Sequence, residues 1–324
     1  MVSSSTSGEN PLAAGICAPL AHHQINLTFL THVAGDRAAL CTPSEAGETA
    51  LALVKSHSSP EAAVHLQPGT SILSIYPHDK RPEIIGTFIR SLARAHLIIY
   101  GLASSPSAIS AVLVSRRKKG AVKHLFEHFQ FSGFQSPQDF FEAQPPPEEY
   151  LQKVVATYQE KVIKVYWIVS QPDLDLWGMS VHTADVLEGF ANALLDMGQL
   201  GLVIPFLVAI PGLEGKEFLL SFSTSRGQPG PDHGAEVRRL LKRHLPEINP
   251  MRLVPVAGIF LHGPHFGDRY GIISAMLRPL KKAGVSLLAL SCTISSISLI
   301  IRQQELPAAL LVLRDVFEAP VEAR

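Results

Sequence analysis

His262-Gly-Pro-His-Phe-Gly-Asp-Arg-Tyr-Gly-Ile272, with the later run Ser291-Cys-Thr-Ile-Ser-Ser-Ile-Ser298, decides how this chain is read. The first stretch follows a short apolar segment, residues 256–260, that reads as a strand. It ends where Ile272, Met276, Leu280 and Ala283 begin to recur at helical spacing, with Gly284 placed as a residue beyond the helix end. Pro279 inside this helix predicts a kink or an irregular turn. Residues 285–290 and 297–301 then read as two strands, and Pro307 opens a second helix reaching Phe317. The order is strand, Gly-rich turn, helix, strand, strand, helix. Such a turn leaves free backbone N–H groups at a helix start, where a small anion can dock.

Working outward, the pattern repeats. Residues 263–317 lie over 3–57 without a gap at an offset of 260, placing Pro279-Leu280 on Pro19-Leu20. Residues 257–317 lie over 69–129 at an offset of 188, placing Ile272 on Ile84, Leu280 on Leu92 and Phe317 on Phe129. In that second copy residues 71–76, 97–102 and 108–114 read as strands. Pro82 opens a helix whose apolar face is Ile85, Phe88, Ile89 and Leu92. A looser copy over 162–245 has a first strand at 162–169, a long turn at 170–183, a helix at 184–197, two strands and a basic closing helix. The first copy, 8–57, starts at its helix and lacks an opening strand; residues 61–66 could supply a strand from the other end. The segment 131–149, with its Pro-Pro-Pro run, is the best boundary, followed by a short helix at 149–160.

Composition agrees with a folded, neutral protein. The 324 residues are 46% hydrophobic and 17% charged, and 28 Lys+Arg balance 28 Asp+Glu. That balance favours neither nucleic acid nor an anionic membrane as partner, and leaves self-association unopposed by charge. Three cysteines, Cys17, Cys41 and Cys292, without CxxC spacing, fit a reducing cytoplasm. No apolar run approaches the ~20 residues of a membrane span. Residues 1–8 lack the features of a signal peptide.

Repeated βαββαβ copies with a Gly-containing first turn resemble the ACT domain. The two quoted stretches resemble the C-terminal regulatory ACT pair of aspartate kinases. The resemblance implies an α+β fold of tandem ferredoxin-like ACT modules, pairing into antiparallel sheets with helices on one face. The modules would be 1–68 (lacking its first strand), 69–131, a divergent 162–250, and 251–320, with 132–161 as a linker carrying a short helix. Aspartate kinases also carry a kinase domain beginning with a Lys-x-Gly-Gly phosphate-binding motif. Neither that motif nor a Walker loop nor a dinucleotide fingerprint occurs here. The resemblance is therefore to the regulatory half without the catalytic half, and kinase activity is not expected.

In that family an amino-acid effector sits between paired modules. The matching positions here are Gly267, Asp268, Arg269, Tyr270, Gly271 and Ile272 of the turn, with Ser291 and Thr293 on the strand side. A helix N-terminus suits the α-carboxylate, Asp268 the α-ammonium, and Gly271 a close backbone approach. In the second copy Glu83 stands where the motif has glycine, opposing a carboxylate ligand. No catalytic residue and no cofactor are expected. The 14 histidines invite a metal reading, through His124 and His128 or His262 and His265, but no third ligand is near in sequence, so no metal site is expected. The functional expectation is a non-catalytic amino-acid sensor, forming a homodimer and acting on an enzyme of amino-acid biosynthesis, an aspartate kinase in trans being the candidate. The alternative is an ACT-fold oligomerisation scaffold without a small-molecule ligand.

Overall fold

A computed structural model describes residues 1–5, 12–34, 37–143, 162–182, 184–212, 217–225, 233–264, 266, 269–293 and 295–319. The expected helix at 149–160 lies outside the described residues, as do Gly267 and Asp268.

Val2–Ser5 forms β1, followed by a π-helical turn, Leu12–Cys17, that runs into α1, Ala18–His22. Strands β2 (Phe29–Val33) and β3 (Arg37–Cys41), helix α2 (Gly47–His57) and strand β4 (Ala63–Leu66) follow. Next come β5 (Thr70–Ile75), α3 (Pro82–Arg94), β6 (Ile99–Ser104), β7 (Ile109–Val114), α4 (Lys118–Phe126) and α5 (Pro137–Glu142). Then β8 (Ile163–Lys164), β9 (Trp167–His182), α6 (Ala184–Gln199), β10 (Phe206–Pro211), β11 (Glu217–Ser225) and α7 (His233–His244) appear. The chain closes with β12 (Met251–His262), α8 (Ile272–Lys282), β13 (Leu287–Cys292), β14 (Ser296–Arg302), α9 (Leu306–Val316) and β15 (Phe317–Glu318).

Among the described residues thirteen strands form one antiparallel sheet in the order β4-β1-β3-β2-β13-β14-β12-β9-β11-β10-β6-β7-β5. The sheet folds over on itself. Phe29 of β2, Phe260 of β12 and Ala289 of β13 share a buried inner layer with Ala103 of β6, Phe206 and Val208 of β10 and Leu174 of β9. Helices cover the outer faces. Ile85, Phe88, Ile89 and Leu92 of α3, spaced i, i+3, i+4 and i+7, pack with Phe190 and Leu194 of α6 and with Leu240 of α7. Leu20 of α1, Val54 of α2, Met276 of α8 and Leu313 of α9 make the corresponding layer on the other half. Each fully buried Leu, Ile or Phe side chain contributes about 1.5–3 kcal/mol, so both outer layers are strongly stabilising.

The structure changes or adds to these expectations in four places. An opening strand does precede the first helix: β1 pairs antiparallel with both β3 and β4. The four-residue strand was invisible because Val-Ser-Ser-Ser has low strand propensity; pairing on both edges holds it. The long turn at 170–183 is instead most of β9, paired with β11 on one side and β12 on the other. Pro172, Asp173, Asp175 and Gly178 read as breakers. The register with β12 shifts between Leu253 and Gly258, which accommodates the irregularity as a bulge. The segment 132–143 also carries a helix that the sequence reading did not name, α5, whose capping box joins Ser136 and Asp139. Helix α8 runs on through Pro279 to Lys282. Among the described residues, no helix is long and apolar enough to cross a membrane.

Candidate functional site

The turn before α8 is anchored from below. Phe266 is buried and meets Phe317 edge-on, with ring centroids 6.2 Å apart. The Arg269 guanidinium donates to the Val162 carbonyl at 3.1 Å, tying the turn to the segment before β8 rather than leaving the cation free. Gly271 takes φ 82° and ψ −6°, a left-handed conformation that an L side chain resists, and its carbonyl accepts the Ala275 N–H at 2.9 Å. Ile272 and Ile273 then enter the core. The first N–H groups of α8 have no partner within the helix.

Facing this turn is the helical segment 12–22. Cys17, Leu20 and Ala21, with Ile25 and Leu27, oppose Arg269, Gly271, Ile272 and Ser274. The cavity between them is ≈ 10 Å³, about the space of one water. Cys17 and Cys292 both border it, and burial pushes each thiol up to about 12, so both are protonated and unreactive near neutral pH.

The strand-side residues do not join the turn. Alternation along β13 sends Leu290 and Cys292 to the helix face and Ser291 and Thr293 to the inner face. The Ser291 hydroxyl donates to the Ser104 carbonyl of β6 at 2.8 Å. Thr293 closes the β13–β14 hairpin, its N–H donating to the Ser296 carbonyl at 2.9 Å. The expected site residues therefore fall in two places: Arg269, Gly271 and Ile272 against the segment 12–22, with Tyr270 in the same turn, and Ser291 and Thr293 between the folded halves of the sheet. Strand parity carries this signal, since Leu290 and Cys292 are the apolar pair that must face the helices.

Thr293 lines a larger cleft of ≈ 520 Å³ where the two halves of the sheet open to solvent. Thr28, Ser74, Ser110, Trp167 and His262 also line it, and among the described residues none that lines it is an Asp, Glu, Lys or Arg. Trp167 stacks on His262 with centroids 5.3 Å apart, and His262 Nδ1 lies 3.2 Å from the Ser296 hydroxyl. Sequence reading placed His262 in the motif but not in a cleft, because Thr28 just before β2, Ser74 of β5 and Ser110 of β7 lie far from it in sequence.

The corresponding turn of the second copy is closed by histidine. His78 is fully buried; Lys80 N–H donates to its Nδ1 at 3.0 Å and its Nε2 lies 2.7 Å from the Ser105 carbonyl. Nε2 is therefore the protonated nitrogen of a neutral ring, and burial lowers the pKa below the ordinary value of 6.5. Glu83 packs against Gly198 of α6 and pairs with Arg81 at 3.5 Å. Among the described residues, no three His, Cys, Asp or Glu side chains group as metal ligands.

Comparison with known proteins places these observations. Residues 256–315 match the ACT domain family. The structure of aspartate kinase from Synechocystis superposes with a TM-score of 0.77 at 14% identity over 98% of this chain. The chain spans 54% of the length of that enzyme. The ligand-free regulatory subunit of aspartate kinase from Thermus thermophilus aligns at 17% identity and a TM-score of 0.40, over 48% of this chain and 99% of that subunit. The regulatory subunit from Thermus flavus aligns at 16% identity and a TM-score of 0.38, over 47% and 98%. No curated protein matches the sequence.

Proposed function

We propose that this ACT-domain protein is a non-catalytic amino-acid sensor built of four tandem ferredoxin-like modules, 1–68, 69–131, 162–250 and 251–320, joined in the middle by 132–161. The strand orders β4-β1-β3-β2, β12-β14-β13, β9-β11-β10 and β5-β7-β6 support that division, because each places the opening strand beside the third strand of its own unit. The first and last units pair through β2 and β13, and the middle two through β6 and β10.

The observation that carries the effector reading is Gly271. Its left-handed backbone presents the start of α8 to a helical segment from the far end of the chain. Helix N–H groups there favour an α-carboxylate. Gly267 and Asp268 complete the proposed turn, Asp268 taking the α-ammonium. An effector needs far more than ≈ 10 Å³, so binding must part the turn from the segment 12–22. The amino acid would then shift the equilibrium between closed and parted arrangements by its differential affinity for them. The regulated partner in this reading is an enzyme of amino-acid biosynthesis, an aspartate kinase in trans being the first to assay. The sensor acts in the cytoplasm as a homodimer.

Thermal unfolding of the protein against each of the twenty amino acids tests this. One amino acid should raise the midpoint selectively, since a ligand bound only by the native state stabilises it. Gly271→Val and Asp268→Ala should erase that rise. No shift with any amino acid at millimolar concentration would sink the sensor reading. The second reading, a scaffold without small ligand, draws support from the nearly filled cavity at the turn and predicts that null result.

A further inference from the structure

The opening strands of the four units differ in one respect. The outer edge of β1 is covered by β4, and β9 and β12 cover one another. Among the described residues, β5 pairs with β7 on one side and with nothing on the other. The chain after α4, which would supply a covering strand by analogy with β4, turns into α5 instead.

The register defines what this edge offers. Ser115 N–H donates to the Gly69 carbonyl at 2.8 Å. Stepping by two along an antiparallel ladder, Ser71, Leu73 and Ile75 exchange hydrogen bonds with β7. The N–H and C=O groups of Thr70, Ile72 and Ser74 therefore point away from the sheet. The strand itself carries none of the usual protections: Thr70-Ser-Ile-Leu-Ser-Ile75 has no charge and no proline, and β5 is six residues long where the opposite terminal strand, β4, has four. Tyr76, at the end of the strand, is 79% exposed. Clefts of ≈ 520 and ≈ 380 Å³ flank the same edge on its two faces, and both include Ser74, Ile75 and Tyr76.

We propose that β5 pairs antiparallel with β5 of a second copy about a two-fold axis at Leu73, joining two thirteen-stranded sheets into one. This rests on the homodimer of the preceding reading but not on its effector site. The occupant is a second copy because the strand is complementary to itself. Pairing Leu73 with its own image sets Ile72 opposite Ser74 and Thr70 opposite Tyr76, so the outward backbone groups meet as hydrogen-bonded pairs. No like charges face each other, and the neutral chain adds no long-range repulsion. The pairing is isologous, so it closes at two subunits instead of propagating.

Light scattering on the intact chain gives the first reading: a particle of twice 35.1 kDa is expected. Ser74→Pro removes an outward N–H while sparing the ladder to β7, and Ser74→Lys adds charge without touching the backbone. Both should yield monomers, and the lysine variant decides if the proline variant fails to fold. Leu73→Cys places two thiols in a non-hydrogen-bonded cross-strand pair, a spacing that suits a disulfide. Diamide as oxidant should link that variant into dimers, with the buried native cysteines silent. A dimer that survives both Ser74 variants and leaves Leu73→Cys unlinked overturns the β5 interface alone. A monomeric wild type overturns the interface and the homodimer together.

Discussion

The hydroxyl of Ser291 on β13 donates to the backbone carbonyl of Ser104 on β6 at 2.8 Å, although 187 residues separate them. This bond fastens one half of the folded sheet to the other, two residues before Thr293, which lines the ≈ 520 Å³ cleft. Ser291→Ala should lower the unfolding free energy by about 1–2 kcal/mol, because a buried carbonyl loses its donor. Urea denaturation measures it. Because Ser291 lies on the face away from Gly271, any amino-acid-induced thermal shift should persist in this variant.

His78 makes stability depend on pH. Its folded pKa lies below the ordinary 6.5 because burial disfavours the charged ring. The unfolded chain therefore takes up the proton first as pH falls. Stability is full above about 6.5 and declines as pH drops from there toward the folded value. Urea midpoints at about pH 7.5 and about pH 5.5 should differ more for wild type than for His78→Gln. Equal differences would remove His78 from the account.

Arg252 on β12 donates to Asp175 on β9, with its Nε 2.9 Å and its Nη2 2.6 Å from Oδ2. Asp175 is 1% exposed, and the guanidinium also lies over the Trp177 ring. Arg252→Ala leaves the carboxylate buried without this partner and should cost about 3–5 kcal/mol. Replacing both residues by leucine should cost less than the single change, which a double-mutant cycle in urea would show.

Helices α3 and α6 touch at Gly86. A Cβ there would stand 2.8 Å from the Ala191 carbonyl oxygen and 3.2 Å from Leu194 Cβ. Gly86→Ala must push the helices apart and should destabilise by about 1–3 kcal/mol despite its better helix propensity. Calorimetry reads this as a lowered Tm; an unchanged or raised Tm would mean that the helices yield without strain.

Much of the fold was legible in the sequence because helix faces repeat visibly. Subtracting 260 from Ile272–Lys282 gives 12–22, and subtracting 188 gives 84–94; both ranges are helical in the structure. Such periodicity is local, so sequence reveals it. Strand β9 was misread because its support is not local. Asp175 in mid-strand signals a loop until Arg252 arrives from a strand 77 residues later. The candidate site was legible in part for the same reason. The turn from Arg269 to Ile272 announces itself by glycine and by the following helix. That Ser291 and Thr293 face the opposite way depends on which side of β13 the helices cover.

By itself, then, the sequence determined the repeated strand and helix pattern, the Gly-rich turn before the helix at Ile272 and the neutral balance of charge, since each follows from residue type and short-range spacing. Tertiary structure alone decided that β2 pairs with β13 and that β6 pairs with β10. It also decided that the sheet folds back until Ser291 reaches Ser104. Edge pairing between strands hundreds of residues apart is selected by burial of whole apolar faces, a property of the assembled sheet and not of any one segment.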